Sequence, residues 1–202
     1  MPKTRPTTRT AAMPPAPLSI TAEQLYANPV ARARTELLRG RILVHEPAGW
    51  THGDVAARIL VAISEHLTAE RRANGWPSPR GRVVAAETGF TLSRSPDTVR
   101  APDVAYVRMD RCPTQPPAAF PEFAPDVVVE VLSPSDCAAA VREKVDDWLA
   151  AGTLLAWVVD PASQTARVYR ADGSESHVAT TEALHGEDVL PGLHLALADL
   201  FD

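Results

Sequence analysis

From Asp126 to Leu132 the chain reads Asp-Val-Val-Val-Glu-Val-Leu, an apolar run interrupted by one acid. A strand with one wet face alternates apolar and polar residues, so a run without alternation predicts a strand covered on both faces, at the centre of its sheet. Leu154 to Val159 predicts a second buried strand. Arg82 to Leu92 and Asp103 to Val107, rich in Val and bounded by Pro or Gly, predict two more. Elsewhere the spacing is helical. Val55, Ala56, Ile59, Leu60, Ala62, Ile63 and Leu67 gather on one side of a helical wheel, which predicts a long helix capped by Thr51 and fading near Gly75. Val141, Val145, Trp148 and Leu149 predict another from about Ala139 to Ala151, with Gly152 placed to end it.

Shorter elements frame these. Thr21 and Gln24 have capping-box spacing, which starts a short helix over Ala22 to Ala27 that stops before Pro29. Thr35 to Val44 reads as two short strands meeting at Gly40, in a tight hairpin or at a bulge, and Pro47 closes the unit. Asp160-Pro161 turns the chain into Thr165 to Tyr169 and His177 to Thr180, an antiparallel edge. No internal repeat is present. This order predicts an α/β fold, a mixed β-sheet covered by helices with antiparallel edge strands. The two longer helices serve as opposite or adjoining covers, and the pattern leaves the strand order open.

Composition narrows the class. With 202 residues, 45% of them hydrophobic and 22% charged, the chain is expected to form one ordinary globular domain over residues 18–202. Residues 1–17 hold Lys3, Arg5, Arg9 and five prolines but no acid, and are expected to form a disordered tail because they bury too little surface to offset ordering entropy. Those prolines also oppose the amphipathic helix of an organellar presequence. The formal charge of −5 excludes binding driven by a globally basic surface but permits a local basic groove. No apolar run is long enough to span a membrane. Cys112 and Cys137 are too few for a disulfide framework, so a reducing, cytoplasmic setting is expected.

The residue most out of place is Glu130, an acid inside a core strand. Burying a lone carboxylate is costly unless a cation or hydrogen-bond donors meet it. One reading is a salt-bridged structural glutamate. The favoured one pairs it with Asp103, at the start of another core strand, as the two carboxylates that typically hold Mg²⁺. Lys144 falls on the rim of its helix's apolar stripe, where it either snorkels or leans toward those acids. His52, in the first turn of the long helix, lies within its apolar arc, where a histidine is more often a hydrogen-bonded core residue than a catalyst; His66 reads as structural. Glu36 either joins the acids or faces solvent. The pairs Arg32–Arg34, Arg71–Arg72 and Arg80–Arg82 are phosphate contacts or solvated surface charge. Phosphate-binding loops, nucleophile elbows and metalloprotease helices are absent, and neither cysteine has an adjacent histidine to activate it.

Several blocks together carry a family likeness: Glu36-Leu37-Leu38-Arg39-Gly40, Pro47-Ala48-Gly49-Trp50-Thr51-His52-Gly53, Glu87-Thr88-Gly89-Phe90, Ala101-Pro102-Asp103-Val104-Ala105, Glu130-Val131-Leu132-Ser133-Pro134-Ser135, Lys144, and Trp157-Val158-Val159-Asp160-Pro161. Over residues 20 to 201 the chain resembles the Uma2 family of restriction-endonuclease-like proteins, relatives of the PD-(D/E)xK nucleases. That resemblance implies a restriction-endonuclease-like fold and a Mg²⁺- or Mn²⁺-dependent endonuclease acting on nucleic acid, DNA in the first instance. It implies Asp103 and Glu130 as metal ligands, Lys144 as the motif lysine displaced onto the following helix, and Glu36 and His52 completing the catalytic site. It also allows a homodimer. The sequence departs from the nuclease motif at Leu132, where a lysine would stand, and has Ala140 and Trp148 where members often carry an acid and a tyrosine. Two other readings stay open: a catalytically inactive nuclease-fold protein that binds nucleic acid or a protein partner, and a carboxylate-pair hydrolase acting on a glycoside. Aromatic residues, at 5%, give little sign of a sugar-stacking cleft.

Overall fold

A computed structural model describes residues 19–28, 35–74, 80–85, 87–115 and 117–202; the tail over residues 1–17 and the Arg32–Arg34 pair lie outside them. Among the described residues, three α-helices, α1 (Ala22–Ala27), α2 (Trp50–Asn74) and α3 (Ala138–Ala150), accompany three sheets. The largest has the order β10-β9-β8-β7-β6-β3, formed by Glu175–Val178, Thr165–Arg170, Leu155–Asp160, Val127–Val131, Val104–Arg108 and Gly81–Ala85. Only β7 and β8 pair in parallel there, so the sheet is mixed with antiparallel edges, as the sequence predicts.

The valine run forms β7, in which all five residues are buried. Successive side chains of a strand point to opposite faces. Val127, Val129 and Val131 pack with Val55, Ile59, Ile63 and Leu67 of α2, whereas Val128 packs with Val145 and Trp148 of α3. The two helices are therefore opposite covers. Glu130 shares the α3 side with Val128. That alternation is what delivers an acid to the face covered by α3.

A second sheet, β2-β1-β5-β4, is built from Arg41–Val44, Thr35–Leu38, Thr98–Arg100 and Phe90–Ser93. Its β1–β2 hairpin turns on Arg39 and Gly40, with φ of 49° and 78°, the doubly left-handed two-residue turn that suits strand twist. The φ of 78° at Gly40 disfavours any residue with a Cβ, and a Cβ there would also crowd the Ser19 side chain. The Thr21–Gln24 capping box of α1 is present in both directions.

Three expectations are corrected. Arg82 to Leu92 is not one strand: β3 and β4 belong to different sheets, and between them Glu87 takes a φ of 63° that breaks an extended chain. Thr51 lies inside α2, which begins at Trp50. The edge predicted at His177 to Thr180 is β10, Glu175–Val178, displaced toward the N-terminus and paired with β9. The pattern also omits β5 and a two-stranded sheet of β11 (Ala183–His185) and β12 (His194–Ala196), all three residues long. Among the described residues, no helix is long and apolar enough to cross a membrane.

Candidate active site

Asp103 stands immediately before β6, and β6 runs antiparallel to β7 with Val104 opposite Val129. Continuing that register sets Asp103 opposite Glu130. Directly opposed residues of an antiparallel pair share a face. The Asp103 amide donates to Val129 O (3.1 Å), and Asp103 Oδ2 accepts from the Val131 amide (2.8 Å), so the aspartate clasps β7 on either side of the glutamate. The fold thus forces two carboxylates together, an arrangement that is unfavourable without cations.

Cations arrive from two elements. Lys144 of α3 extends its Nζ to Glu130 Oε2 (2.8 Å), Glu36 Oε1 (3.0 Å) and Ala101 O (3.1 Å). Arg100, buried in β5, donates through Nη1 to Glu36 Oε2 (2.9 Å) and through Nη2 to Asp147 Oδ2 of α3 (2.6 Å). Glu36 also accepts from the Ala101 amide (2.9 Å) and lies 3.3 Å from His45 Nε2. Trp148, fully buried, donates its indole N–H to Glu130 Oε1 (2.9 Å). His52 closes the end of the sheet, with Nε2 2.9 Å from Asp103 Oδ1 and Nδ1 3.2 Å from Ser133 Oγ. All five residues predicted from sequence, Glu36, His52, Asp103, Glu130 and Lys144, line one cavity of about 500 Å³.

The network is unbalanced in charge. Glu36, Asp103, Glu130 and Asp147 set four carboxylates against Arg100 and Lys144. The individual groups register this. Burial, together with the facing Asp103 and Glu36, pushes the Glu130 carboxyl up to about 7 despite the adjacent ammonium. Burial opposes ionisation of Glu36 as well, but Lys144, His45, Arg100 and the Ala101 amide outweigh it and hold that carboxyl well below the usual range. Burial likewise disfavours charge on Asp103, yet the contact with His52 and the Val131 amide keep its carboxyl low. For Lys144, desolvation is overcome by Glu130 and Glu36, which raise the ammonium above its ordinary value.

Two carboxylates with oxygen donors suit Mg²⁺, which typically takes one or two from a protein and the remainder from water and substrate phosphate. Among the described residues, no group of three or more His, Cys, Asp or Glu side chains is arranged as a ready-made metal cage. Asp103 and Glu130 would be the two protein ligands of such an ion.

Sequence reasoning missed Arg100, Asp147 and His45. It read Trp148 only as core, although a buried indole N–H usually needs an acceptor. Outside the cavity, Arg80 is paired with Glu70. Burial pushes the Cys112 thiol up, which suits neither a nucleophile nor a thiolate ligand.

No curated protein matches the chain. Among solved structures, one described as a putative nuclease belonging to DUF820, from Anabaena variabilis, superposes with a TM-score of 0.76 at 23% identity, covering 90% of this chain and 97% of the other. The model of the family Uma2, described as "Putative restriction endonuclease", matches residues 22–198. The chain belongs to the Uma2 family.

Proposed function

We propose that the protein is a cytoplasmic endonuclease that hydrolyses phosphodiester bonds of nucleic acid, DNA in the first instance, with Mg²⁺ or Mn²⁺ as cofactor. The observation that carries this reading is the position of Lys144. It enters from α3 rather than from the strand, yet reaches Glu130 and Glu36 at 2.8 and 3.0 Å beside the Asp103–Glu130 pair. This supports its standing in for the lysine that Leu132 replaces.

Asp103 and Glu130 would hold the ion. When bound, it supplies Lewis-acid polarisation of a phosphoryl oxygen and a more acidic water. The chain's own groups do the rest. The Lys144 ammonium stabilises negative charge that develops on the phosphoryl oxygens. Glu36 holds that ammonium at the cavity wall, and Arg100 fixes Glu36. His52, tethered to Ser133, orients the Asp103 carboxylate, while the Trp148 indole fixes Glu130. Such orienting contacts commonly govern metal affinity and rate.

One observation favours a second reading, binding without turnover. The three donors of Lys144 are matched by Glu36, Glu130 and Ala101 O, so the lysine must leave one of them to meet a phosphate. Supercoiled plasmid and single-stranded DNA incubated with Mg²⁺, Mn²⁺ or EDTA separate the two. The nuclease reading expects wild type alone to cut, and only with metal, while Asp103→Asn and Glu130→Gln do not. Cleavage by Asp103→Asn at the wild-type rate contradicts it. Salt-sensitive DNA binding with no cleavage in either metal supports the second reading.

A further inference from the structure

Remote from the carboxylate network, the β11–β12 sheet carries a histidine on each strand. His185 and His194 are register partners, and their ring centres lie 4.9 Å apart at an interplanar angle of 74°. The neighbouring pair, Leu184 and Leu195, is buried in the core. By strand alternation the histidines are on the other face, and both are exposed. The remaining pair on that face is Ala183 and Ala196, whose small side chains leave room beside the imidazoles. A cavity of about 530 Å³ lies there, lined also by His177 and Glu182, and it shares no residue with the candidate active site.

A cross-strand pair of aromatic rings needs no ligand to explain it, but the spacing is informative. With a Zn–N bond of about 2.0–2.1 Å and a ring radius of about 1.1 Å, each imidazole centre sits about 3.2 Å from a shared metal. Two such rings are then separated by about 4.5 Å for a right-angled N–metal–N arrangement and about 5.2 Å for a tetrahedral one. The observed 4.9 Å falls between these limits, and because the rings meet edge to face one imidazole rotates for both nitrogens to face one ion. We propose that His185 and His194 form a two-histidine site for a borderline divalent transition ion such as Zn²⁺, Ni²⁺ or Cu²⁺.

The chemistry sorts this site from the other. Imidazole suits Zn, Ni and Cu, whereas a carboxylate pair with water suits Mg. Water completes the coordination shell. Bound metal cross-links two strands of only three residues each, and an ion that binds the folded state alone stabilises it.

The test is calorimetric titration of NiCl₂ and ZnCl₂ into the tag-free full chain in excess Mg²⁺, which occupies carboxylates but competes poorly for imidazole. One equivalent is expected to bind, with affinity falling more than about tenfold in His185→Ala and in His194→Ala alike. Both side chains are exposed, so the variants are expected to retain the wild-type circular dichroism spectrum and melting temperature without added metal. Absence of binding, or an affinity unchanged when both histidines are replaced, overturns the proposal.

Discussion

The two faces of the six-stranded sheet are built on opposite principles. Toward α2, Val127, Val129, Val131, Leu155, Trp157 and Val159 pack in one apolar cluster with Val55, Ile59, Ile63 and Leu67. Toward α3, the same strands present Val128 and Val158 beside Glu130, opposite Lys144 and Trp148. One strand serves both faces. The α2 face holds the sheet together through close packing, whereas the α3 face spends part of that stability on buried charges that crowd one another. A core strand can therefore carry a buried acid on one face while its other face packs in an apolar cluster.

The largest expected effects separate the faces by their response to metal. Trp157→Ala should lower unfolding free energy by about 3–5 kcal/mol through cavity formation, unaffected by Mg²⁺. Lys144→Met should cost about 3–5 kcal/mol as well, because Glu36 and Glu130 lose their shared cation in a buried setting. Here Mg²⁺ should recover part of the loss. Urea denaturation of both variants with and without the ion checks the contrast, and an equal response to Mg²⁺ would erase it.

A smaller effect probes one hydrogen bond on the charged face. Trp148→Phe keeps most of the ring but removes the donor to Glu130 Oε1, for an expected cost of about 1–3 kcal/mol. Its Mg²⁺ affinity, measured by calorimetry, should also fall, since Glu130 loses its fixed orientation. Loss of stability with unchanged affinity would assign Trp148 a packing role alone.

Legibility from sequence follows the same division. Val127 to Val131 reveals a doubly covered strand because both periodic faces are apolar, and Glu130 stands out by contrast. Lys144 is recoverable from its angle to Trp148 on a helical wheel. Arg100 is not, because it lies in a three-residue strand after the Ser95-Pro96-Asp97 turn, and only pairing with β1 and β4 buries it. Arg82 to Leu92 misleads for a related reason: β-propensity records which residues suit a sheet but not which sheet they join. His45 meets Glu36 through the β1–β2 hairpin, where Glu36 pairs with Leu43, a register that local pattern does not specify.

The least effect is expected in the smaller sheet, where a carboxylate is satisfied instead of crowded. Burial alone would raise Asp97, but the amides of Ala22 and Ser95 and the Arg94 guanidinium hold its carboxyl below the ordinary value. A carboxyl lowered on folding contributes stability that is present above its unfolded pKa of about 3.9 and is lost as pH falls through the folded value. Asp97→Asn should therefore cost about 1 kcal/mol at pH 7, with the difference shrinking below about pH 4. A pH-independent difference in urea midpoint would assign the effect to shape and not to charge.

Moving Lys144 tests most directly whether it is the lysine of the site. Metal-dependent DNA cleavage under single-turnover conditions should fall by about 10²–10³ in Lys144→Ala. Leu132 lines the same cavity, so adding Leu132→Lys in that background should restore part of the lost rate, because an ammonium again reaches the Asp103–Glu130 pair. Cleavage by folded Lys144→Ala at the wild-type rate would contradict the account.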